Sequence, residues 1–293
     1  MSEKSIFLQI FRDLEAGKLD LPALPDLATK IRDTLRDTQT PIEDVTRILS
    51  ADTSLTAYII KIANSPIYVG VEKCQDVQSA IIRLGYSGTR NIAMTYLMRS
   101  LFRPKLTKLR PIMTDLWNDV SKLAAFSSVL AERCTHFDPD KALTAAMLQD
   151  IGALPLIQKL SRYPQVFENR HEVDKIIDKY AAKVGALIMN KWNFGPEMIE
   201  VVRSRKDWQR DPAPTADLAD VILIARAHTY IGTPLMRRIP PMHQMPAFNK
   251  LNLGELGPNQ SLLILDEAKA EINEIRSLLT PPEAPRRKRS SML

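Results

Sequence analysis

The sequence predicts an all-α protein built as two packed helical bundles. Only 10 of its 293 residues are glycine, and no segment alternates apolar and polar residues as a half-buried strand does. Apolar residues instead recur every three or four positions through most of the chain, which is the spacing of one face of an α-helix. A chain of this length can bury a sizeable core in one large domain or in two small ones.

Three short helices joined by tight polar turns are expected in the first part of the chain. The first begins after Pro25 and the second after Pro41, because proline fits the start of a helix. Asp52 or Thr53 caps the third helix, and residues 64–66 end it. Each segment carries one apolar stripe, which predicts that the three helices pack on a common core.

A fourth helix covers residues 77–84 and stops at Gly85, since glycine accepts the backbone geometry that ends a helix. Ser87 is the expected cap of a longer helix that ends near Phe102. Residues 105–110, named the basic joint below, then lead to the second bundle, which begins after Pro111.

Helical segments of the second bundle are separated by Pro, Gly or Asp-rich boundaries. They read DLWNDVSKLAAFSSVLAERC, KALTAAMLQDIGALPLIQKL, AAKVGALIMNKW, PEMIEVVRSRKDW and ADLADVILIARAHTYIG. Residues 234–258 hold five of the 20 prolines and little apolar pattern, which predicts a loop over the surface. The stretch from Ser261 to Leu279 is strongly amphipathic and predicts a closing helix.

These features predict the following organisation: an N-terminal helix over residues 1–20, an N-terminal bundle over 21–104, a second bundle over 105–232, a proline-rich loop with the closing helix over 233–280, and a basic tail over 281–293. The tail has little to bury, and we expect it to be disordered.

We expect the protein to stay in the cytoplasm. The longest stretch without Asp, Glu, Lys or Arg is Ile239 to Asn249, which is too short to span a bilayer. The N-terminus has no small-residue cleavage site of a secretory signal. Cys74 and Cys134 lie sixty residues apart without metal-finger spacing, which is typical of two reduced thiols.

The net charge of +6 is concentrated in a few segments, and half of it belongs to the tail after Pro282. Two further basic segments are candidate contacts for phosphates or an acidic partner, although a solvated helix end and linker is the favoured explanation of the first. Their residues are Arg99, Arg103, Lys105, Lys108 and Arg110 in one segment, and Arg203 and Arg210 in the other. In the second segment, Trp208 is a candidate for stacking on a nucleic-acid base.

The sequence contains no familiar catalytic or metal-binding motif. The four histidines, His136, His171, His228 and His243, are not at helical spacing from one another. A Gly-rich phosphate loop and a nucleophile elbow are both missing from the sequence. We therefore expect no metal ion and no cofactor.

Several separated motifs nevertheless resemble the HDOD domain family. They are the segments LPALPDLATKIRD, LSADTSLTAYIIKIANSPIY and VQSAIIRLGYSGTRNIAM, followed by LWNDVSKLAA, AAMLQDIG and VGALIMNKW. The matching positions include Leu21, Pro22, Leu24, Pro25, Ala63, Asn64, Ser65, Ala80, Ile81, Leu84 and Gly85. The resemblance runs from about Leu21 to Leu218. It implies an all-helical domain that is related to the HD-type metal phosphohydrolases, belongs to bacterial regulatory proteins and is usually regarded as non-catalytic.

The resemblance also implies where metal ligands would stand. The position of the first His falls on Asp119, and that of the His-Asp pair falls on Gln149 and Asp150. The remaining positions fall on Ala181, Arg205, Lys206 and near Arg226. Only Asp150 keeps its identity, with Asp119 as a second oxygen donor, whereas a catalytic divalent site needs about three protein ligands. Hydrolysis by this route is not expected.

A more specific hypothesis is that Asp150 pairs with Arg205 or Arg226, so that a salt bridge replaces the metal in holding the helices together. In the alternative, these side chains face solvent and Asp150 caps a helix turn before Gly152. A variant of the hypothesis has the cationic pocket accept an anion such as a nucleotide phosphate.

Three functions remain open from the sequence. We favour a non-catalytic regulator that docks a signalling protein, such as a kinase, a receptor or a cyclic-dinucleotide enzyme, in a bacterial pathway. The second is a nucleic-acid-binding regulator that uses the basic segments. The third is a residual metal-dependent phosphohydrolase.

Overall fold

A computed structural model describes residues 9, 12–13, 16–35, 39–66, 68, 72–104, 106–133, 136–251, 253, 256–257 and 262–279. Over these residues the protein is helical, as predicted. The described chain contains no strand, and its extended backbone pairs only in an isolated antiparallel bridge between Leu256 and Leu262.

Four helices with described bounds form the first group: α1 (Asp26–Thr34), α2 (Ile42–Ser50), α3 (Thr53–Ala63) and α4 (Val77–Met98). Pro25 and Pro41 directly precede α1 and α2. The Asp52 carboxylate caps α3 by accepting a hydrogen bond from the Leu55 N–H at 2.9 Å. Gly85 interrupts α4 with φ +69°, the left-handed region that favours glycine, so the predicted stop at this residue is confirmed as a kink.

The second group comprises α5 (Arg110–Arg133), α6 (Pro139–Leu148), α7 (Ala153–Leu160), α8 (Pro164–Phe167), α9 (Arg170–Lys191), α10 (Pro196–Arg203) and α11 (Leu218–Thr229). Short 3-10 turns at Arg99–Phe102 and Thr107–Leu109 connect it to α4. Helix α6 packs against both α4 and α5, and one hydrophobic core runs through both groups. This shared core fixes the two bundles against each other.

The prediction of a surface loop over residues 234–258 is wrong in part. It contains 3-10 turns at Pro234–Arg238 and Met242–Gln244, followed by α12 (Pro246–Leu251). Met242, Met245 and Ala247 are buried, and α12 packs against α11. The prolines correctly mark turns, but the flexible methionine side chains fill core space that the weak apolar pattern did not reveal.

The closing segment forms two helices instead of one, α13 (Leu263–Glu267) and α14 (Lys269–Leu279), which are separated by Ala268. Both pack against α5. Ser261 and the tail after residue 280 lie outside the described residues, as do Lys105, Cys134 and most of the predicted helix over residues 1–20. The boundaries of the predicted organisation stay predictions. None of the described helices combines the length and the apolar character needed to cross a bilayer.

His228 of α11 ties the closing segment to the bundle. Its Nδ1 accepts a hydrogen bond from the Leu262 N–H at 3.2 Å, and its ring centroid lies 5.0 Å from that of Phe126. Because the imidazole is buried, its pKa is lowered to about 4. Nδ1 accepts this hydrogen bond only while it is unprotonated, so protonation of the ring would break the contact with Leu262.

We expect this histidine to make the protein less stable in acid. A folded pKa of about 4, against an ordinary value of 6.5, contributes stability that is present above pH 6.5 and is lost as the pH falls toward 4. Urea unfolding between these pH values should show a loss on the order of 2 kcal/mol from His228 alone. The variant His228→Gln cannot titrate and should have a flatter profile, whereas His243→Gln, at an exposed histidine, should follow the wild type. Identical slopes for His228→Gln and the wild type would contradict the assignment.

Candidate functional site

A cavity of about 300 Å³ lies between α5, α9, α11 and the turns that follow α6 and α10. It contains most of the positions that the resemblance marks as degenerate. Asp119 projects from α5, Asp150 from the turn after α6, and Arg226 from α11. Arg205 and Lys206 follow α10 and also line the cavity. Residues far apart in sequence therefore meet in one site.

Asp150 lies at the centre of this site and has both carboxylate oxygens engaged. Its Oδ1 accepts a hydrogen bond from Arg205 Nε at 2.6 Å and also pairs with Arg205 Nη2. Its Oδ2 accepts from Arg226 Nη2 at 2.6 Å. Asp150, Arg205 and Arg226 are only 3%, 5% and 6% exposed. The hypothesised pair is present and includes both arginines, so the solvent-facing alternative is wrong.

Gln149 is a further member of this buried hydrogen-bonded cluster. Its Oε1 accepts a hydrogen bond from Arg226 Nε at 2.7 Å, and its Nε2 donates to the Val201 carbonyl at 3.2 Å. The amide thereby connects α11 to α10 through the turn after α6. A glutamine suits this place because it can accept from a guanidinium and donate to a carbonyl at once.

The opposite charges of Asp150 and the two arginines stabilise each other's ionised forms. Burial opposes ionisation of Asp150, but Arg205 and Arg226 outweigh it and hold the pKa of Asp150 well below its usual range. Burial likewise opposes the charge on Arg226, but Asp150 outweighs this and raises the pKa of Arg226. Asp119, at the cavity wall, has its pKa raised by burial and then by the negative charge of Asp150. The site is therefore an ionised buried cluster with a weaker acid beside it.

Asp178 of α9 belongs to the same cluster, although sequence reasoning missed it. It pairs with Lys206, and its Oδ1 lies 3.5 Å from Arg205 Nη1. Asp178 precedes Ala181 by three residues, which places the two on the same side of α9. That helical spacing from a predicted site position is the signal that could have identified it.

Ala181 does not line the cavity and contributes backbone packing instead. It is fully buried, and its carbonyl lies directly against Gly152, at the start of α7. A Cβ on Gly152 would overlap the Ala181 carbonyl oxygen and the Gly185 nitrogen. The position at which the resemblance implies a metal-binding histidine thus allows α7 and α9 to approach closely.

The residues present do not fit the divalent metal of an HD-type hydrolase. In the part of the chain that the structure describes, no three His, Cys, Asp or Glu side chains are grouped as a metal-binding cluster. Asp150 directs its oxygens to two guanidinium groups, which stand where further ligands would have to be. These fixed positive charges would repel a cation from the same cavity.

The other predicted contact residues are dispersed. Lys108 donates to the Ser161 carbonyl at 2.6 Å, Arg110 is exposed, and Arg203 lies 3.4 Å from Glu200. Arg99 and Arg103 line a separate groove.

Arg210 is wrongly predicted as a surface contact. Its side chain is 3% exposed and pairs with Asp217 at 2.9 Å and with the buried Asp220. Lys250 reaches Asp220 as well, at 2.8 Å. Trp208 is also unavailable as an open stacking platform, since it is half-buried with its ring edge-to-face against Tyr230.

The sequence of this chain matches the model of a known protein family. The HDOD domain model matches residues 21–208. An uncharacterized protein of Treponema pallidum (strain Nichols) is 21% identical over 220 residues, which are 70% of this chain and 41% of the relative. The chain thus spans less than half the length of that relative.

Solved structures share the fold at low sequence identity. A protein of Shewanella amazonensis, described as a candidate metal-dependent phosphohydrolase, superposes with a TM-score of 0.76 at 21% identity, covering 95% of this chain and 99% of the other. An HDOD domain protein of unknown function from Geobacter sulfurreducens gives 0.65 at 21% identity, covering 94% and 97%. A candidate signal transduction protein from Marinobacter aquaeolei gives 0.57 at 19% identity, covering 90% and 61%. With the helical fold, the cavity and the family match over residues 21–208 together, the chain belongs to the HDOD domain family.

Proposed function

We propose that this protein is a non-catalytic regulator in bacterial signal transduction, which acts in the cytoplasm by binding another protein. The observation that carries the proposal is the engagement of both oxygens of Asp150 by Arg205 and Arg226. Asp150 alone keeps the identity of a metal ligand, and here it holds helices together.

The cluster argues against hydrolysis because activation of water by a metal requires an open coordination position and several free donors. Asp150 is neutralised by two cations, and Gln149 is committed to Arg226 and the Val201 carbonyl. Asp119 lines the wall of the cavity, where Asp174 and Asp178 are also present but pair with Arg170 and Lys206. A cavity lined in this way does not offer a metal ion the free donors that hydrolysis needs.

A protein partner fits better than nucleic acid. The second basic segment loses Arg210 to a buried ion pair and Trp208 to packing against Tyr230, which removes its strongest features for gripping a nucleic-acid strand. The family resemblance favours a signalling partner such as a kinase, a receptor or a cyclic-dinucleotide enzyme.

Affinity capture tests this proposal. The tagged 293-residue chain is mixed with its native cytosol, and one half of the mixture is treated with nuclease. The retained proteins are identified by mass spectrometry, with the tag alone as the control. We expect a specific signalling protein to be retained in both halves. Retention of nucleic acid, or only of proteins that are lost after nuclease treatment, would contradict the proposal and favour a nucleic-acid-binding regulator.

A further inference from the structure

A second cavity, of about 580 Å³, shares no lining residue with the cavity at the Asp150 cluster. It is formed by one side of α3, the end of α4, the 3-10 turn Arg99–Phe102, and Leu278 of α14. We name it the α3–α4 groove. Its volume lies within the range of about 300–1,000 Å³ that is typical of sites for small ligands.

The groove carries positive charge that the described residues do not neutralise. Lys61, Arg99 and Arg103 line it, and none of them forms an ion pair within the described ranges. Among the described lining residues Asp52 is the one acid, and its Oδ1 accepts the hydrogen bond from the Leu55 N–H that caps α3. Three cations therefore surround one open space.

Arg99 is the most constrained of these cations. It is half-buried, and burial together with the nearby charge of Arg103 lowers its pKa. Burial removes part of the hydration of this guanidinium, and no acidic side chain in the described part of the chain pairs with it. An anion that bridges Arg99 and Arg103 would relieve both effects by charge-assisted hydrogen bonds.

Two tyrosine rings form an aromatic wall in the same groove. The centroids of Tyr58 and Tyr96 lie 4.9 Å apart with an interplanar angle of 39°. Burial raises the pKa of Tyr58, so its ring is uncharged near neutral pH. Leu97 and Leu278 extend the apolar part of the lining. A planar ring packed here would bury apolar area and gain an aromatic contact.

We propose that the α3–α4 groove binds a nucleoside phosphate, with the phosphate on Arg99 and Arg103 and the base against Tyr58 and Tyr96. Lys61 supplies a further charge at the edge. The cations, which have no ion-pair partner among the described residues, stand beside an aromatic wall, and this combination distinguishes the ligand from a bare anion, which would use only the cations. The proposal is independent of the protein partner proposed above.

Isothermal titration of the full-length chain with three probes, AMP, inorganic phosphate and a hexaglutamate peptide, tests the assignment. We expect AMP to bind with a Kd below about 1 mM and more tightly than phosphate. The double variant Arg99→Gln, Arg103→Gln should bind AMP about tenfold more weakly or worse. Tyr96→Leu should reduce AMP affinity to that of phosphate. Arg47→Gln, an exposed arginine on α2 outside the groove, is the matched control and should bind as the wild type.

Three results would overturn the proposal. One is the absence of AMP binding at the highest concentration, and another is AMP binding that the double variant leaves unchanged. The third is a hexaglutamate affinity equal to or above that of AMP, which would assign the groove to an acidic peptide. Lys61→Gln, at an exposed side chain, provides a second variant whose folding is not at risk. Affinity capture of a protein partner is unaffected by any of these outcomes.

Discussion

Gly152→Ala is expected to prevent folding or to lower the free energy of unfolding by about 3 kcal/mol or more. An added Cβ would overlap the backbone carbonyl of Ala181 and the backbone nitrogen of Gly185. Because these are atoms of the α9 backbone, no side-chain rotation can make room, and α7 would have to move away from α9. Thermal and urea unfolding of the purified variant measure the loss.

Gly195→Ala is the matched control for this substitution. Gly195 precedes α10, has a negative φ, and has no atom within 4 Å of an added Cβ. The change should therefore leave stability within about 1 kcal/mol of the wild type. Equal behaviour of the two alanine variants would contradict the close packing of α7 on α9.

Asp150→Ala is expected to lower stability by about 3–5 kcal/mol, because it leaves Arg205 and Arg226 buried without their shared counter-charge. Asp150→Asn keeps nearly the same volume and removes the charge, so it should lose most of the same stability. The pair of variants separates electrostatics from packing. Unfolding midpoints in urea at pH 7 provide the comparison.

Asp178→Ala serves as the control for the Asp150 variants. Asp178 also pairs with Arg205, and with Lys206, but its side chain is 50% exposed. Solvent screens such a pair, and its removal should cost about 0–1 kcal/mol. If Asp150→Ala changes the midpoint no more than Asp178→Ala does, the buried cluster does not hold the helices together.

Helix starts were predictable because their signals are local. Pro25, Pro41 and Asp52 each act within one turn of the helix that they begin, and Gly85 produces a kink through its own φ. The split of the closing helix at Ala268 has no such signal, since alanine is the strongest helix former.

Predictions of buried charge depended on knowledge of the fold. The pairing of Asp150 with Arg205 and Arg226 followed from aligned positions in a family resemblance, and the structure adds Gln149 and Asp178 to it. Arg210 lacked such a guide. Its partners Asp217 and Asp220 lie only seven and ten residues away, and an intervening turn brings them into contact with Arg210. From the sequence alone, a run of basic residues is expected to be exposed to solvent, so the buried pair was missed.

The α3–α4 groove illustrates a further limit of sequence reasoning. Arg99 and Arg103 were recognisable as a basic segment, but Tyr58 and Lys61 stand some forty residues earlier on another helix. Their convergence depends on how α3 packs against α4, which no short-range pattern specifies. Only the tertiary structure joins the charges to an aromatic wall.

Metal loading combined with a hydrolysis assay tests most directly whether ion pairs have replaced the metal. The wild-type chain is incubated with Mn²⁺, dialysed, analysed for bound metal by mass spectrometry, and assayed with bis-p-nitrophenyl phosphate before and after EDTA. We predict substoichiometric metal and no hydrolysis that EDTA removes, because Asp150 is engaged by Arg205 and Arg226. One or more Mn²⁺ ions per chain, together with EDTA-sensitive hydrolysis, would contradict the account and identify the protein as an active phosphohydrolase.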